Sequence, residues 1–296
     1  MSHFIKQNSC QCSFATSESW VVLSSIEQSI KQKIEKAGTP LKDWDINIYR
    51  GVLTGFNDAF IISSEKREEI LNNCKTEEER KKTDELIRPI LRGRDIKRYG
   101  YDWAGLWLIN THNGIKEKGI PRIDVEKDYP AVKKHLDEYW DKIEKRADQG
   151  DTPYNLRNCA YMDDFFKQKI MYPNMTQFMP FYFDEKKFFQ NDKSFMITGK
   201  NLGFLAAFLN SSLFKFCFTE NFPTLGEKGR ELRKIFFDKI PVIQVDEKTE
   251  KIFERAVTDI QSEYTEAKAR KIDSMIFDLY KLTEQERDII GYIEIK

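Results

Sequence analysis

Two segments of the chain, residues 48–62 and 87–101, each set an Arg-Gly step among residues that favour β-strands. The first reads IYRGVLTGFNDAFII, where apolar and aromatic residues alternate up to Val52, give way to a polar stretch and resume at Phe60. This pattern predicts two strands joined by a polar turn, which is a hairpin. The second reads IRPILRGRDIKRYGY and gathers five basic residues around Pro89 and Gly93, with Asp95 as its only acid. It predicts a concentrated positive loop.

Further motifs follow in order: WLINTHNG at 107–114, a stretch from YP to R at 129–146, KQKIMYP at 167–173, FLAAFLNSSLF at 204–214 and IDSMIFDLYKLTEQE at 272–286. The succession resembles the C-terminal target-recognition, or specificity, domain of TaqI-like and type IIG restriction-modification adenine-specific DNA methyltransferases. The resemblance extends over roughly residues 15 to 296 and rests on the collinear order of the motifs, because no single string is diagnostic. It implies an α+β domain that recognises a short DNA sequence for an adenine methyltransferase, and for an endonuclease where one is attached.

A complete enzyme of this family carries a cofactor-binding glycine loop and an Asn/Asp-Pro-Pro-Tyr/Phe motif that holds the target adenine. In this sequence the nearest strings are GVLTG at residues 51–55 and YPNM at 172–175, and neither has the required pattern. We therefore expect no cofactor in this chain and no catalysis by it alone. S-adenosylmethionine, and Mg²⁺ if a nuclease is present, are expected on a catalytic portion, of which this chain is a C-terminal fragment or a separate specificity subunit.

The balance of charges excludes a nonspecific polyelectrolyte binder. Of 296 residues, 48 are Lys or Arg and 48 are Asp or Glu, so the formal net charge is zero. The distribution is uneven, because residues 86–123 hold eight basic residues against three acids, whereas residues 124–152 hold six against nine. Such a local excess is a phosphate-binding face or a solvated surface paired with acidic neighbours, and composition leaves both open. A hydrophobic fraction of 40% excludes a disordered chain.

The cysteines, histidines and apolar stretches indicate where the protein works. Its five cysteines are scattered without a CxxC pair, which indicates a reducing cytoplasm. Its three histidines lie far apart and lack metal-ligand spacing, so no zinc site is expected. The most apolar stretch, residues 202–218, is too short and too interrupted to span a bilayer, and the polar N-terminus lacks the apolar core of a signal peptide. We expect a cytoplasmic protein with no membrane partner.

Three parts of the chain are predicted. Residues 1–16 are an irregular remnant of cloning or of a gene boundary, residues 17–240 form the DNA target-recognition domain, and residues 241–296 form a C-terminal helical segment. The fold class is α+β, with a mixed or antiparallel sheet decorated by helices. Part of this expectation comes from the resemblance and not from periodicity.

Hydrophobic spacing predicts helices at residues 19–37, 128–147 and 201–218, and a solvated helical excursion or mobile loop at 64–84. Beyond residue 241 it predicts further helices, the last opened by a capping box of Thr283 and Glu286. Strand-like runs at 169–172, 178–183 and 188–198 predict a central sheet. The apolar 201–218 helix is expected to lie against that sheet.

Target recognition needs cations for phosphate oxygens and a smaller set of side chains that reach base edges. Candidates with this composition lie in five stretches. They are Arg92, Arg94, Lys97 and Arg98; Asn110, Thr111, His112, Asn113, Lys116 and Lys118; Tyr154, Asn155 and Arg157; Asn174, Thr176 and Gln177; and Thr224, Lys228, Arg230 and Arg233. The expected partners are double-stranded DNA and an adenine methyltransferase domain or subunit.

Each stretch also has a structural interpretation. The 174–177 stretch reads bases or forms an Asx-type turn. The arginines of the RGRD string hold phosphates or pair with Asp95 to fix their loop, and the recurrence of this string among relatives with different targets favours those roles over base reading. The 226–230 loop follows a DNA backbone or is a surface connection, and Tyr154 stacks on a base or packs in the core.

Two other function classes are open at this point. The EKK string at 185–187, with Asp163 or Asp164 upstream, superficially meets the spaced acid and E-x-K pattern of Mg²⁺-dependent nucleases. However, residues 184–187 have the character of a turn, while that chemistry usually uses the motif on a strand. The third class is a protein interaction subunit whose C-terminal helices bind a partner without direct DNA contact, which the neutral total charge permits.

Overall fold

The computed structural model describes residues 23–226 and 229–293. The predicted N-terminal remnant, the beginning of the predicted first helix at residues 19–22, and Lys228 lie outside the described residues. The first helix begins at Ser25 and ends before Gly38, where the sequence predicts its end. Its start is fixed by a capping box, in which the Ser24 hydroxyl accepts from the Glu27 N–H and the Glu27 carboxylate accepts from the Ser24 N–H.

Helices surround short strands throughout the described ranges. The α-helices are α1 (Ser25–Ala37), α2 (Asn57–Phe60), α3 (Ser64–Asn72), α4 (Glu77–Leu86), α5 (Val125–Asp128), α6 (Pro130–Asp137), α7 (Trp140–Ile143), α8 (Leu202–Leu209), α9 (Ser212–Phe218), α10 (Lys234–Phe237), α11 (Glu247–Ser262), α12 (Glu266–Leu279) and α13 (Glu284–Ile290). Short 3-10 helices occur at Leu41–Asp43, Gly93–Asp95, Lys116–Lys118, Met162–Phe166 and Thr219–Asn221.

The strands are β1 (Thr39–Pro40), β2 (Ile46–Arg50), β3 (Ile61–Ser63), β4 (Ile87–Leu91), β5 (Ile96–Lys97), β6 (Gly100–Tyr101), β7 (Leu106–Ile109), β8 (Lys169–Pro173), β9 (Met175–Thr176), β10 (Tyr182–Asp184), β11 (Phe189–Gln190), β12 (Ser194–Gly199), β13 (Thr224–Leu225), β14 (Gly229–Glu231) and β15 (Pro241–Val242). Sheet I is antiparallel, in the order β10-β8-β12-β2. Sheet II has the order β11-β4-β7-β3, with β11 parallel to β4 and the other pairs antiparallel. A third, three-stranded sheet has the order β13-β14-β9. The predicted α+β class with mixed and antiparallel sheets is confirmed.

The hairpin predicted for residues 48–62 is wrong, because its two strands belong to different sheets. β2 pairs with β12 in sheet I, whereas β3 pairs with β7 in sheet II. After β2, the Gly51 N–H donates to Ser194 O at 2.9 Å and the Val52 N–H donates to Gln190 O at 2.8 Å. The backbone groups of this segment are therefore satisfied by the region around β11 and β12, and the chain crosses between sheets instead of folding back on itself.

The helix predicted at 128–147 is divided into α6 and α7, and α5 ends at its first residue, Asp128. α6 begins at Pro130, and the residue before a proline is disfavoured in helical backbone geometry. Tyr129 has a φ of −136° and interrupts the helix there. The charge-dense 64–84 stretch forms α3 and most of α4, which bury Ile70, Leu71 and Leu86.

The helix predicted at 201–218 is divided into α8 and α9, which meet at an angle of 65°. The Ser211 hydroxyl caps α9 by accepting from the Phe214 N–H at 3.1 Å. The Asn210 amide next to it donates to Phe181 O at 2.8 Å, which directs the chain across the sheet. α8 is buried along its whole length and lies against sheet I, as predicted. In the described ranges, no single helix is long and apolar enough to cross a membrane.

Two of the predicted central strands also differ in extent. In the 178–183 run, Met179 has a left-handed φ of +49° and Pro180 has no N–H to donate, so pairing begins at β10. The 188–198 run divides into β11 and β12, which join sheet II and sheet I respectively. The predicted central sheet is thus two sheets, and the turn between β11 and β12 is one of the connections between them.

The apolar side chains form two main cores. One lies between sheet I and helices α1, α8, α9, α11 and α12, and the C-terminal helices contribute Phe253, Val257 and Ile276 to it. The other lies on sheet II and includes Phe60, Phe165 and side chains of α6. The helices beyond residue 241 therefore pack into the same core as α8.

A buried ion pair joins β8 to β10. The Lys169 ammonium and the Asp184 carboxylate lie 2.6 Å apart, and both side chains are fully buried. Lys169 also donates to Phe165 O at 2.8 Å, while Asp184 accepts from the N–H groups of Lys186 and Phe188. Burial lowers the pKa of Lys169, and the nearby carboxylate opposes that shift. The pair and its backbone partners hold the end of β10 in place.

Glu286 joins α1 to α13. Its carboxylate accepts from Lys33 Nζ at 2.6 Å, from Ser29 Oγ at 2.7 Å and from the Thr283 N–H at 2.7 Å. The last contact is part of the predicted capping box at the start of α13, which is confirmed. Burial alone raises the pKa of Glu286, but Lys33, Ser29 and Thr283 favour the charged form and together bring the pKa down to about 2.

We expect Glu286→Gln to lower the free energy of unfolding by about 2 kcal/mol at neutral pH, since the charged form is the one stabilised. A depressed folded-state pKa gives stability that is complete above the ordinary value of 4.5 and is lost as the pH falls towards about 2. Urea unfolding of both proteins across this range should show the difference shrinking as the pH falls. Glu284→Gln, at an exposed position of the same helix, is the control. A difference that is the same at every pH argues against a role for the carboxylate charge.

Candidate nucleic-acid interface

Strands β11 and β12 belong to different sheets, and the turn between them, residues 191–193, lies where the sheets meet. We call this the hub turn. Both Arg-Gly steps of the sequence pack their glycines against it. A Cβ on Gly51 would lie 2.0 Å from Asn191 O, and a Cβ on Gly93 would lie 2.7 Å from Lys193 O. The glycines are required because only they allow this approach of backbone to backbone.

Three basic side chains surround the hub turn. Arg50 Nε donates to Asp192 O at 2.9 Å, and its guanidinium lies 3.4 Å from the Asp192 carboxylate. Lys193 pairs with the same carboxylate at 3.1 Å and is 65% exposed. Arg94 is exposed and forms no ion pair within the described part of the chain. Sequence reasoning missed Arg50 and Lys193 as candidates, although Arg50 belongs to the first Arg-Gly step.

Arg92 is directed inwards, unlike Arg94. Its backbone N–H, Nε and terminal nitrogen donate to the buried Asp95 carboxylate at 2.8, 2.9 and 2.8 Å. This is the ion pair that the structural interpretation of the RGRD string predicts, and it fixes the 3-10 turn at Gly93–Asp95. Within the string, Arg92 therefore has the scaffold position and Arg94 has the exposed one.

Lys97 and Arg98 also differ, because Lys97 is exposed and Arg98 bonds to other parts of the protein. Lys97 is exposed, donates to Arg94 O and lies 3.6 Å from the Asp102 carboxylate. Arg98 Nε donates to Asn210 O at 3.0 Å, and its terminal nitrogen donates to the Tyr264 hydroxyl at 3.3 Å. Arg98 thus ties the loop to the bend between α8 and α9.

The 174–177 stretch contains strand β9, which pairs with β14 so that Thr176 lies opposite Arg230. Two of the predicted stretches are therefore neighbours. The Asn174 N–H donates to Lys193 O at 2.9 Å, and Asn174 O accepts from the Leu232 N–H at 2.8 Å, which anchors β9 to the hub turn. The turn after β9 is closed by Thr176 Oγ1, not by an Asx interaction. Gln177 follows β9 and is exposed.

Of the two arginines in the β13–β14 region, Arg230 lies on β14, and Arg233 follows that strand at the N-cap of α10. Arg230 donates to Phe222 O at 3.0 Å and pairs with Glu220 at 2.6 Å. Arg233 pairs with Glu231 at 2.7 Å and is 59% exposed. Thr224 lies opposite Arg230 in the register of β13 and β14 and accepts from it.

Four candidates from the 110–118 and 154–157 stretches are buried and bonded within the protein. Thr111 Oγ1 donates to Tyr154 O at 2.7 Å, and the Tyr154 hydroxyl donates to the Asp137 carboxylate at 2.6 Å. The Asn113 amide donates to Asp151 at 3.0 Å and accepts from its N–H. Asn155 is also buried and donates to Ile123 O. These positions favour the packing interpretation of Tyr154 over stacking on a base.

Among the remaining residues of those stretches, Asn110 is buried as well, whereas His112, Lys116, Lys118 and Arg157 are more accessible. Asn110 and His112 line a cavity of about 370 Å³ near the end of β7. Burial lowers the pKa of His112. Lys118 is exposed and pairs with Asp163 at 2.5 Å, and Lys116 is also exposed. Arg157 is 58% exposed, pairs with Asp148 at 2.9 Å and lines a cleft together with Arg50.

A row of accessible basic and polar residues thus extends from this cleft across the hub turn to the third sheet. We call it the candidate face, and its members are Arg50, Arg94, Arg157, Asn174, Gln177, Lys193, Arg230 and Arg233. Its six basic side chains meet four carboxylates, those of Asp148, Asp192, Glu220 and Glu231. The row remains basic after this pairing, and the cation is exposed in every one of these ion pairs except that of Arg230.

The nuclease interpretation receives little support from the geometry. Residues 184–187 form a turn between β10 and β11, as expected, and Asp184 is already paired with Lys169. Asp163 pairs with Lys118, and Asp164 pairs with Lys167 at 2.7 Å. Among residues 23–226 and 229–293, no group of three or more His, Cys, Asp or Glu side chains is arranged to hold a metal ion.

We expect Gly51→Ala and Gly93→Ala each to lower the free energy of unfolding by about 3 kcal/mol, because each new methyl group meets backbone at the hub turn. Gly100→Ala is the matched control, since a Cβ there meets nothing within 4 Å. It should change stability by less than about 0.5 kcal/mol. The measurement is chemical unfolding, and equal losses at all three positions contradict a specific role for the hub turn.

Comparisons with known proteins bear on these observations. Residues 88–242 match the family described as the TaqI-like C-terminal specificity domain. No curated protein matches the chain. Among solved structures it is similar to the type IIG restriction endonuclease BpuSI, with a TM-score of 0.53 and 16% identity over 87% of this chain and 33% of that one. It is also similar to the type IIL restriction-modification enzyme MmeI in complex with DNA, with a TM-score of 0.56 and 14% identity over 82% of this chain and 34% of that one.

The chain spans about a third of the length of these two structures. At this level of identity the likeness concerns the fold. The family match covers more than half of the chain and includes the second Arg-Gly step, the hub turn and strands β9 and β14. The chain therefore belongs to the family of TaqI-like C-terminal specificity domains, which confirms the resemblance drawn from the order of its motifs.

Proposed function

We propose that this chain is a sequence-specific DNA recognition module that positions an adenine-specific DNA methyltransferase, and an endonuclease where one is attached, on its site. A specificity domain serves DNA recognition in a restriction-modification system, and family membership gives this chain that role. The observation that carries the finer proposal is the continuity of the candidate face, in which exposed cations adjoin β9 and the exposed Gln177 that follows it. Catalysis is assigned to the methyltransferase portion and not to this chain.

The cations of the candidate face suit phosphate binding. Arg50, Arg157, Lys193 and Arg233 are all exposed and paired with carboxylates at the surface. Exposed ion pairs contribute little stability, so a phosphate oxygen replaces the carboxylate at low cost. Arg94 needs no such exchange. Contacts of this kind supply affinity and register but do not distinguish bases.

The third sheet suits base reading. A two-stranded β-ribbon fits the major groove of DNA, where Gln and Asn pair with adenine and Arg pairs with guanine. β9 and β14 are neighbouring antiparallel strands of the third sheet, and the exposed Gln177 and Arg233 follow them in the chain. We assign base reading to Gln177 first, because its amide is exposed and lies next to the anchored strand.

The proposed partners are double-stranded DNA and an adenine methyltransferase domain or subunit. The support is that this chain spans about a third of the length of the similar structures, which are those of a restriction endonuclease and a restriction-modification enzyme. S-adenosylmethionine, and Mg²⁺ where a nuclease is present, are assigned to that other portion. We place the assembly in the cytoplasm, where restriction-modification acts on DNA.

A protein-docking role has one specific observation in its favour. Phe178 is 66% exposed, and with Phe216 and Tyr292 it lines a cavity of about 630 Å³ beside α9. Exposed aromatic side chains grouped in this way are typical of protein interfaces. This surface lies next to Gln177, so it is also compatible with a partner that contacts the same DNA.

We expect the chain to bind random-sequence duplex DNA with an affinity that falls steeply between about 50 and about 200 mM salt. Replacing Arg94, Lys193 and Arg233 together by Ala should reduce the slope of log K against log salt by about 2 to 3, since each lost phosphate contact removes about 0.9. Fluorescence anisotropy measures both quantities.

The charge-matched control replaces Lys248, Lys251 and Arg255, three exposed basic residues of α11, by Ala. The proposal fails if both triple variants change the slope equally, or if the wild-type chain shows no salt-dependent binding either alone or joined to its methyltransferase portion. In the last case the docking interpretation is preferred, because a protein interface does not require phosphate contacts.

Gln177→Ala should relax sequence preference at one position by about 1 to 3 kcal/mol without changing the salt slope, because it removes a base contact and no phosphate contact. The measurement compares duplexes selected for tight binding with single-base variants of them. Gln168→Ala is the control, since Gln168 is exposed and lies outside the candidate face. If Gln177→Ala keeps the wild-type preference at every base pair, then another residue reads the bases.

A further inference from the structure

The cavity near the end of β7 has a polar group that the protein itself does not use. The Asn110 side chain is only 4% exposed, and its Oδ1 has no hydrogen-bond partner among the described residues. The Asn110 backbone is satisfied separately, because its N–H donates to Leu86 O and its O accepts from the His112 N–H. A buried amide without a partner costs free energy, so its retention here points to a ligand.

His112 adds a second directional group to the cavity. Its Nδ1 accepts from the Gly114 N–H at 3.1 Å, which leaves the proton of the neutral ring on Nε2. The neutral ring is favoured because burial lowers the pKa of His112. Nε2 makes no hydrogen bond within the described part of the chain, and it is a donor.

Much of the remaining wall is apolar. Tyr129 and Phe166 contribute aromatic rings, and Ile115 and Met162 contribute aliphatic surface. Phe166 is 41% exposed, so part of its ring is available for stacking. The charged groups at the cavity, among them Lys82 and Asp163, include both signs, which favours a neutral ring over a phosphate.

We propose that this cavity holds a single unstacked purine base. Its hydrogen-bonding groups fit the edge of adenine. An Asn amide pairs in two places with adenine, accepting from its amino group and donating to the neighbouring ring nitrogen. Aromatic walls stack on any base. The volume of about 370 Å³ is in the range of small-molecule sites. Nothing in the proposed DNA-reading role requires this cavity.

Two sources supply such a base, namely a nucleotide extruded from bound DNA and a free nucleoside. The cavity adjoins the candidate face through the 3-10 helix Met162–Phe166, which follows Tyr161. The Tyr161 ring stacks on Tyr49 at 4.2 Å, next to Arg50. Binding of an extruded base requires that the chain binds DNA and so rests on the proposed function. Binding of a free nucleoside does not depend on it.

The test uses the whole chain, with two probes. One is adenosine, titrated by calorimetry. The other is a labelled duplex with an adenine opposite an abasic site, compared by anisotropy with the same duplex fully paired. We expect the unpaired adenine to raise DNA affinity roughly tenfold or more, since a bidentate base contact is worth about that factor. Adenosine binding without this preference supports the cavity with a free nucleoside as its ligand.

Asn110→Leu is the decisive variant. It should abolish the preference for unpaired adenine and the binding of adenosine, while leaving affinity for the paired duplex unchanged. It should not lower thermal stability, because an apolar side chain of similar shape replaces an unpaired amide. Asn73→Leu, at an exposed position at the end of α3, is the control. If Asn110→Leu does not fold, Phe166→Ala tests the stacking wall instead.

The outcomes separate the two proposals. Absence of binding to the paired duplex counts against DNA recognition alone, since adenosine still tests the cavity. The cavity proposal is overturned if neither adenosine nor the unpaired adenine is bound preferentially, or if Asn110→Leu and Phe166→Ala bind both probes as well as the wild type does.

Discussion

The close packing of two glycines on the hub turn is the contact on which the rest of the interface depends. Gly51 and Gly93 come from segments about 40 residues apart, yet both meet the backbone of residues 191–193. That turn also separates β11 from β12, so it links sheet II to sheet I. This packing holds the segments that carry Arg50 and Arg94 against the same turn. Shape at the backbone level, and not charge, decides where these arginines lie.

The basic residues near the hub turn have two roles. Some form bonds within the protein, and others are exposed at the surface. Arg92 and Arg98 make bonds to Asp95 and to the α8–α9 bend, so their positive charge serves the fold. Arg94 and Lys193 are exposed at the same turn. The buried Lys169–Asp184 pair has the scaffold role within sheet I. This division agrees with the neutral total charge of the chain, because a basic face requires only a few unpaired cations in one place.

The sequence predicted those features, such as helix ends, that depend on interactions between neighbouring residues. The end of α1 at Gly38 and the capping box of Thr283 and Glu286 were predicted because caps involve neighbours within a few residues. The hairpin at 48–62 was wrong because alternation shows that strands exist but not which strands they join. Lys193 and the burial of Asn110 gave no signal, since both depend on contacts between distant segments. The order of the motifs identified the family. The positions of the candidate site residues could be seen only in the folded structure.

The segment from β9 to Phe181 is anchored at both ends and has exposed residues between them. Asn174 is held by Lys193 and Leu232, and after the turn Phe181 is held by both groups of the Asn210 amide. Between these anchors Gln177 is exposed. A side chain in this position changes without disturbing the core, because its backbone is held by others. On the proposed function, the scaffold role falls on the glycines and the inward arginines, and base reading falls on the exposed Gln177.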